Sequence, residues 1–171
     1  MHTIYLIPGI GTDGRIFRDL KFDNCDTVII DFIIPEKNEL LPDYAKRMAT
    51  KIDTTKPFSL LGVSFGGMIA VEISKFLKPE KVFLVSSAKT RSELPVHYRM
   101  AHYVPFDKLL TGNFYKKMGN LLRPLYEPES RKETAFFKQM TNDTDPQVMK
   151  RLIHCVVNWE NKECPQNIIH I

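Results

Sequence analysis

Apolar runs alternate with amphipathic stretches along the first half of the chain. Four runs are nearly continuous in apolar residues, which predicts parallel strands buried on both faces. They are Thr3–Pro8, Thr27–Phe32, Phe58–Ser64 and Lys81–Ala88. The stretches between them, at residues 13–21, 42–53 and 66–77, are predicted to be helices. This alternation predicts an α/β fold with a mostly parallel sheet and helices on both faces.

The pattern changes between residues 89 and 166, where no strand is predicted. The stretches "FDKLLTGNFYKKMGNLLRPLY" and "ESRKETAFFKQM" are typical of amphipathic helices broken at Pro, Gly and Asn. In "DPQVMKRLIHCVVNW" we expect Asp145 as N-cap and Pro146 at the first helical position. Asn167–Ile171, "NIIHI", predicts a last strand. We therefore expect a sheet core from 1–88 and 167–171 and an all-helical unit from 89–166.

A glycine-rich stretch, "IPGIGTDGRIF", follows the first predicted strand. Gly9, Gly11 and Gly14 have the spacing G-x-G-x-x-G, and Asp31 follows at the end of the next run. Behind a strand and before a helix, this spacing is typical of a dinucleotide-binding loop. The loop alone leaves open whether its amides bind a cofactor or another anion.

A second motif, "LLGVSFGGMIAVEI", contains G-x-S-x-G between a predicted strand and a predicted helix. This context is typical of a nucleophile elbow, a sharp turn that exposes a serine above the sheet. Residues two before and two after the serine must be small, and Gly62 and Gly66 are; Gly67 lets the helix pack close to the strand. Ser64 is therefore the candidate nucleophile, at a helix N-terminus that favours negative charge.

These motifs together resemble the α/β-hydrolase superfamily of serine esterases and lipases. In that family a His-Gly or Pro-Gly loop lies beside the elbow, and Pro8-Gly9-Ile10 matches it. The resemblance implies that the N–H groups of Ile10 and Phe65 form the oxyanion hole and that Gly9 belongs to its loop. It also implies that residues 89–166 are the helical cap, that Asp31 is a strand-end residue and that no cofactor is needed.

The catalytic acid and histidine are missing from their usual places. In the family the acid follows the seventh strand and the histidine the eighth, whereas "NIIHI" matches the start of the seventh. None of the histidines is predicted to be the base, and Glu93 is a weak candidate for the acid. The histidines are His2, His97, His102, His154 and His170. We expect the missing partners beyond residue 171 and expect the 171-residue chain itself to be inactive.

The function implied is hydrolysis of a small ester, thioester or lactone through an acyl-enzyme on Ser64. A non-catalytic hydrolase-like module that binds a small molecule or a partner is the main alternative. A nucleotide-binding oxidoreductase using Gly9, Gly11 and Gly14 is less favoured, because it leaves the Ser64 motif unexplained. Reading the coding sequence past Ile171 would separate the first two.

Composition narrows these expectations further. The 171 residues are 43% hydrophobic and 26% charged, which is ordinary for a soluble domain. The net charge of +4 arises entirely within residues 89–166, where basic residues are scattered, so we expect no nucleic-acid partner. No apolar run approaches a membrane span. The three cysteines form no C-x-x-C pair, so we expect no metal site, unpaired thiols and a cytoplasmic location.

Overall fold

A five-stranded parallel sheet forms the centre of the protein. The structure is a computed structural model that describes residues 2–103, 110–126 and 131–171. The strands are β1 (His2–Ile7), β2 (Cys25–Ile29), β3 (Phe58–Val63), β4 (Val82–Val85) and β5 (Ile168–His170). Their order is β2-β1-β3-β4-β5, and every neighbouring pair is parallel. The predicted parallel α/β fold is thus confirmed, and β1 and β3 lie side by side with their C-terminal ends at one edge.

Two α-helices follow β2 and β3, and the other described α-helices lie between β4 and β5. They are α1 (Leu41–Ala49), α2 (Phe65–Ser74), α3 (Val96–Ala101), α4 (Gly112–Tyr126), α5 (Arg131–Asp143) and α6 (Pro146–Val157). Short 3₁₀ helices cover Gly14–Phe17 and Arg91–Glu93. Among the described residues, no helix has the length and apolar character needed to cross a bilayer.

The main core lies on one face of the sheet. In-register residues of the central strands, such as Tyr5, Leu60 and Val82, point to this face. Helices α1 and α2 cover it together with Leu152 and Trp159, which lie in α6 and just beyond it. Residues 89–166, which we call the helical segment, therefore share the core of the sheet through α6.

The opposite face has a smaller core. Ile4, Leu6 and Leu61 pack there against Phe17 of the first 3₁₀ helix. Ile169 of β5 lies in register with Phe83 on this face and is 40% exposed. Cover on this face is therefore concentrated over β1 and β3.

The predicted helix at residues 13–21 is wrong, since only the 3₁₀ helix Gly14–Phe17 forms there. The Asp13 carboxylate accepts hydrogen bonds from the backbone and the side chain of Arg15. The Gly14 N–H donates instead to the Asp31 carboxylate. Asp13 thus caps the 3₁₀ helix, which ends at Phe17.

The expected breaks in the helical segment are also partly wrong. Helix α4 runs without interruption through Gly119 and Asn120. A β-carbon on Gly119 would meet nothing within 4 Å. The cost of this glycine to stability is therefore only its low helix propensity relative to alanine, about 1 kcal/mol. The predicted start of α6 is confirmed, because the Asp145 side chain accepts from the N–H groups of Gln147 and Val148.

Candidate active site

Ser64 occupies the turn between β3 and α2 in a strained conformation. Its φ is 52° and its ψ is −118°, a region that side-chain-bearing residues rarely adopt. The residue is exposed, and its side chain forms no capping hydrogen bond with α2. The turn therefore presents the Ser64 hydroxyl at the N-terminal end of a ten-residue helix.

The glycines around Ser64 permit close backbone contacts. A β-carbon on Gly62 would collide with the backbone of Gly66 and Gly67. One on Gly66 would collide with the carbonyl oxygens of the β1 end, and one on Gly67 with the Ser87 hydroxyl. These positions have no space for a side chain while the turn keeps this geometry.

The loop that follows β1 lies against this turn. A β-carbon built on Gly9 would lie 3.3 Å from the Ser64 Cβ and 3.4 Å from the Val63 oxygen. In the described part of the chain, the N–H groups of Ile10 and Phe65 donate no backbone hydrogen bond. Both amides are thus available near the Ser64 side chain.

Aromatic packing holds the start of α2 in place. Phe65 is 2% exposed, and its ring stacks on Tyr44 of α1 with centroids 6.4 Å apart. The Tyr44 hydroxyl donates to the Ile33 oxygen at 2.8 Å, and burial holds the pKa of this phenol far above its ordinary value. The Phe65 ring is therefore anchored in the core beside the buried Tyr44.

Strand β4 holds the turn from the other side. The Ser64 N–H donates to the Val85 oxygen at 2.9 Å, and the Ser87 hydroxyl donates to the Ser64 oxygen at 2.6 Å. Sequence reasoning missed Ser87. The sequence feature that could have indicated Ser87 is its position just after β4, the strand that neighbours β3 in the sheet.

The glycine loop is also bonded to α5 of the helical segment. The buried Thr141 hydroxyl donates to the Gly11 oxygen at 3.0 Å. Arg15 pairs with Asp143 at 2.8 Å, at the end of the same helix. Two polar contacts therefore join the loop beside Ser64 to one helix end.

These contacts leave little support for a dinucleotide at the glycine loop. Such a site needs a helix N-terminus directed at the pyrophosphate, and only a 3₁₀ turn follows Gly11. The Gly14 amide is already bonded to Asp31, which therefore acts as the strand-end residue expected from the sequence.

Four of the histidines contact residues other than Ser64. His2 is within hydrogen-bond distance of Ser59, five residues before Ser64 on β3, or roughly 17 Å away along the strand. His97 packs beside Tyr98, His102 lies 3.5 Å from Glu160, and the His154 Nδ1 accepts from Asn158 at 3.1 Å.

His170 lies opposite Leu84 on β5 and is exposed. Among the described residues, no hydrogen bond joins any histidine to the Ser64 hydroxyl.

Glu93 is engaged with Lys89 rather than with Ser64. Its carboxylate accepts from the Lys89 N–H at 2.8 Å and lies 3.3 Å from the Lys89 ammonium. Burial acts to raise the pKa of Glu93, but the hydrogen bonds and charge of Lys89, together with the nearby His170, outweigh it and lower the pKa. This carboxylate is therefore a stable anion that caps its own turn.

No family model and no curated protein matches the sequence. Solved structures do match. A hydrolase from Oleispira antarctica has a TM-score of 0.69 at 16% identity, covering 94% of this chain and 67% of its own. MenH from S. aureus gives 0.65 at 16% identity, with 94% and 68% covered. The RedJ thioesterase of the prodiginine pathway in Streptomyces coelicolor gives 0.62 at 14% identity, with 96% and 63% covered.

These similarities, together with the parallel sheet and the strand–serine–helix turn, define the fold. The chain has the α/β-hydrolase fold, and it spans about two thirds of the length of these solved chains.

Proposed function

We propose that the protein is a serine-type hydrolase that attacks a small ester, thioester or lactone with Ser64. The observation that carries this proposal is the conformation of Ser64, a strained residue with an exposed hydroxyl at a helix start. Strain of about 1–3 kcal/mol persists only where the surrounding structure enforces it, and it concentrates at functional sites.

The amides of Ile10 and Phe65 would stabilise the oxyanion of the tetrahedral intermediate. Both lie next to the Ser64 turn and have no backbone acceptor among the described residues. A donor of this kind contributes roughly 3–4 kcal/mol to lowering the barrier. The names of the solved neighbours, a hydrolase and a thioesterase, support the same reaction class.

The proton of Ser64 needs an acceptor for this reaction, because a neutral hydroxyl is a weak nucleophile. We place the histidine and the acid that orients it in residues following Ile171. The support is that, among the described residues, no histidine is hydrogen-bonded to the Ser64 hydroxyl and that the solved neighbours are longer. On this proposal the 171-residue chain has a formed oxyanion site and little turnover.

The same observation favours one alternative, a non-catalytic module that binds a ligand beside Ser64. Covalent labelling separates the two. A fluorophosphonate probe is added to the 171-residue chain with increasing imidazole, which can replace a missing base. We expect labelling at Ser64, read by mass spectrometry, to increase with imidazole and to vanish in Ser64→Ala.

Ser86→Ala is the matched control, since Ser86 is also exposed with a positive φ of 47° but starts no α-helix. It should label like the native chain. Labelling that survives Ser64→Ala would refute the nucleophile, and an absence of labelling at every imidazole concentration would favour the binding module.

A further inference from the structure

A cavity of about 490 Å³ lies between the turn after β4 and helix α3. Three of its lining residues are cationic: Arg91, Arg99 and Lys162. Among the described residues, no aspartate or glutamate lines it. Val96, Met100 and Tyr103 supply apolar surface, and each of these side chains is more than half exposed. The cavity therefore combines positive charge with a hydrophobic wall.

The three cations have different surroundings. Arg91 donates to the oxygens of Val157 and Trp159, at the C-terminal end of α6, and so holds one wall in place. Arg99 and Lys162 form no ion pair within the described ranges. Among the described residues, these two charges are therefore not paired with a carboxylate.

Arg99 carries a more specific signal. Its Nε atom is buried and has no hydrogen-bond partner among the described residues. A buried donor without an acceptor is unfavourable, by roughly 1–3 kcal/mol in typical cases, and native structures rarely leave one unexplained. An anionic group in the cavity would neutralise the charge of the Arg99 side chain, which lines it.

One edge of the cavity lies near the Ser64 turn along the chain. Ser87 bonds to the Ser64 oxygen, and Thr90 of the cavity follows three residues later. Three residues span at most roughly 11 Å. The Thr90 edge of the cavity is therefore within roughly 11 Å of Ser87, which contacts the Ser64 turn.

We propose that this cavity binds the anionic end of an organic molecule, a carboxylate or phosphate group joined to an apolar chain, through Arg99 and Lys162. The assignment of this molecule as the substrate of Ser64 rests on the proposed function, but the binding itself does not. The closing experiment therefore measures binding in a Ser64→Ala protein, where no hydrolysis occurs.

The probes for calorimetry are octanoate, octyl phosphate and the neutral isostere octanamide. We expect both anions to bind and octanamide to bind at least tenfold more weakly, since charge-assisted hydrogen bonds are the stronger ones. The relative affinities of octanoate and octyl phosphate identify the preferred head group. Equal binding of octanamide, or no binding of either anion, would overturn the proposal.

Variants then locate the site. Arg99→Gln and Lys162→Gln should each weaken anion binding roughly tenfold, the loss expected for one hydrogen bond to a charged group. Lys162 is exposed, so its variant tests the site even where Arg99→Gln fails to fold. Lys78→Gln, an exposed cation outside the cavity lining, should bind like the parent protein. An equal loss of affinity in Lys78→Gln would show a general charge effect and refute binding in the cavity.

Discussion

Ser64 adopts a backbone conformation that glycine adopts without strain. The φ of 52° and ψ of −118° bring its side chain close to the backbone. The hydrogen bond to Val85 and the one from Ser87 hold it there. The backbone conformation that presents this hydroxyl therefore lowers the stability of the protein, as is common at functional sites.

This strain predicts opposite effects for two substitutions at the same residue. Ser64→Gly should stabilise the protein by about 1 kcal/mol, because glycine relieves the positive φ. Ser64→Ala retains the β-carbon and should leave the free energy of unfolding nearly unchanged. Urea denaturation followed by circular dichroism measures both. Equal stabilities for the two variants would show that the turn is not strained.

Two glycines with different packing should respond to substitution in opposite directions. Gly66→Ala should destabilise by about 1–3 kcal/mol, because its β-carbon would collide with backbone oxygens of Ile7 and Pro8 that cannot move freely. Gly119→Ala, on the open side of α4, should stabilise by about 0.5–1 kcal/mol through helix propensity. Thermal unfolding should show shifts of opposite sign. A stabilising Gly66→Ala would contradict the packing of the elbow.

At the scale of elements, one buried contact ties α2 to the end of the helical segment. The Trp159 Nε1 donates to the Glu72 carboxylate at 2.7 Å, and Lys75 bonds to the same oxygen at 2.6 Å. Trp159 is 1% exposed and Glu72 is 3% exposed. Such a buried carboxylate requires its partners, since an unpaired charge is costly to bury.

Removing the donor should weaken this junction. Trp159→Phe should lower the free energy of unfolding by about 1–3 kcal/mol, from the lost hydrogen bond and the smaller ring. Circular dichroism during urea unfolding is the suitable measurement, because Trp159 is the only tryptophan. A matched Phe76→Leu change, at an exposed aromatic of the same region, should cost much less. Similar losses of unfolding free energy in the two variants would show that the Trp159–Glu72 hydrogen bond does not stabilise this junction.

The sequence predicted most elements because their patterns were strong. Strand β3 and helix α2 lie within one to three residues of their expected bounds, and the cap of α6 was recognisable from Asp145 and Pro146. The helix wrongly predicted at residues 13–21 is only the 3₁₀ helix Gly14–Phe17, and its first amide bonds to Asp31, a contact distant in sequence. Likewise, nothing in the local pattern could show that Thr141 would bond to Gly11.

The candidate site was predictable to a similar extent. The G-x-S-x-G spacing placed Ser64 at the turn, and parallel strand order brought the Gly9 loop beside it. The contribution of Ser87 and the cationic cavity came only with tertiary packing. Local motifs therefore located the Ser64 turn, whereas its surroundings required the fold.

At the scale of the whole molecule, the two faces of the sheet differ in their cover. The face without α1, α2 and α6 presents Ile169 at 40% exposure beside Phe83, on a strand at the sheet edge. Exposed apolar edge strands promote pairing with other chains. The 171-residue chain should therefore self-associate as its concentration increases.

Ile169→Lys should shift this association toward monomer, because a charge on an edge strand opposes pairing. Sedimentation velocity over a concentration series provides the measurement. Leu40→Lys, at a residue 45% exposed ahead of α1, is the control and should associate like the native chain. A native chain that stays monomeric at every concentration would refute self-association through β5.

The bond from Thr141 to Gly11 has a thermodynamic consequence. It is buried, and it links the last turn of α5 to the loop that carries the Ile10 amide. Any displacement of α5 that breaks this bond changes the free energy of the loop, and linkage is reciprocal. A ligand that fixed this loop beside Ser64 would therefore also favour one position of α5, so that occupancy of the loop and the position of this helix would vary together.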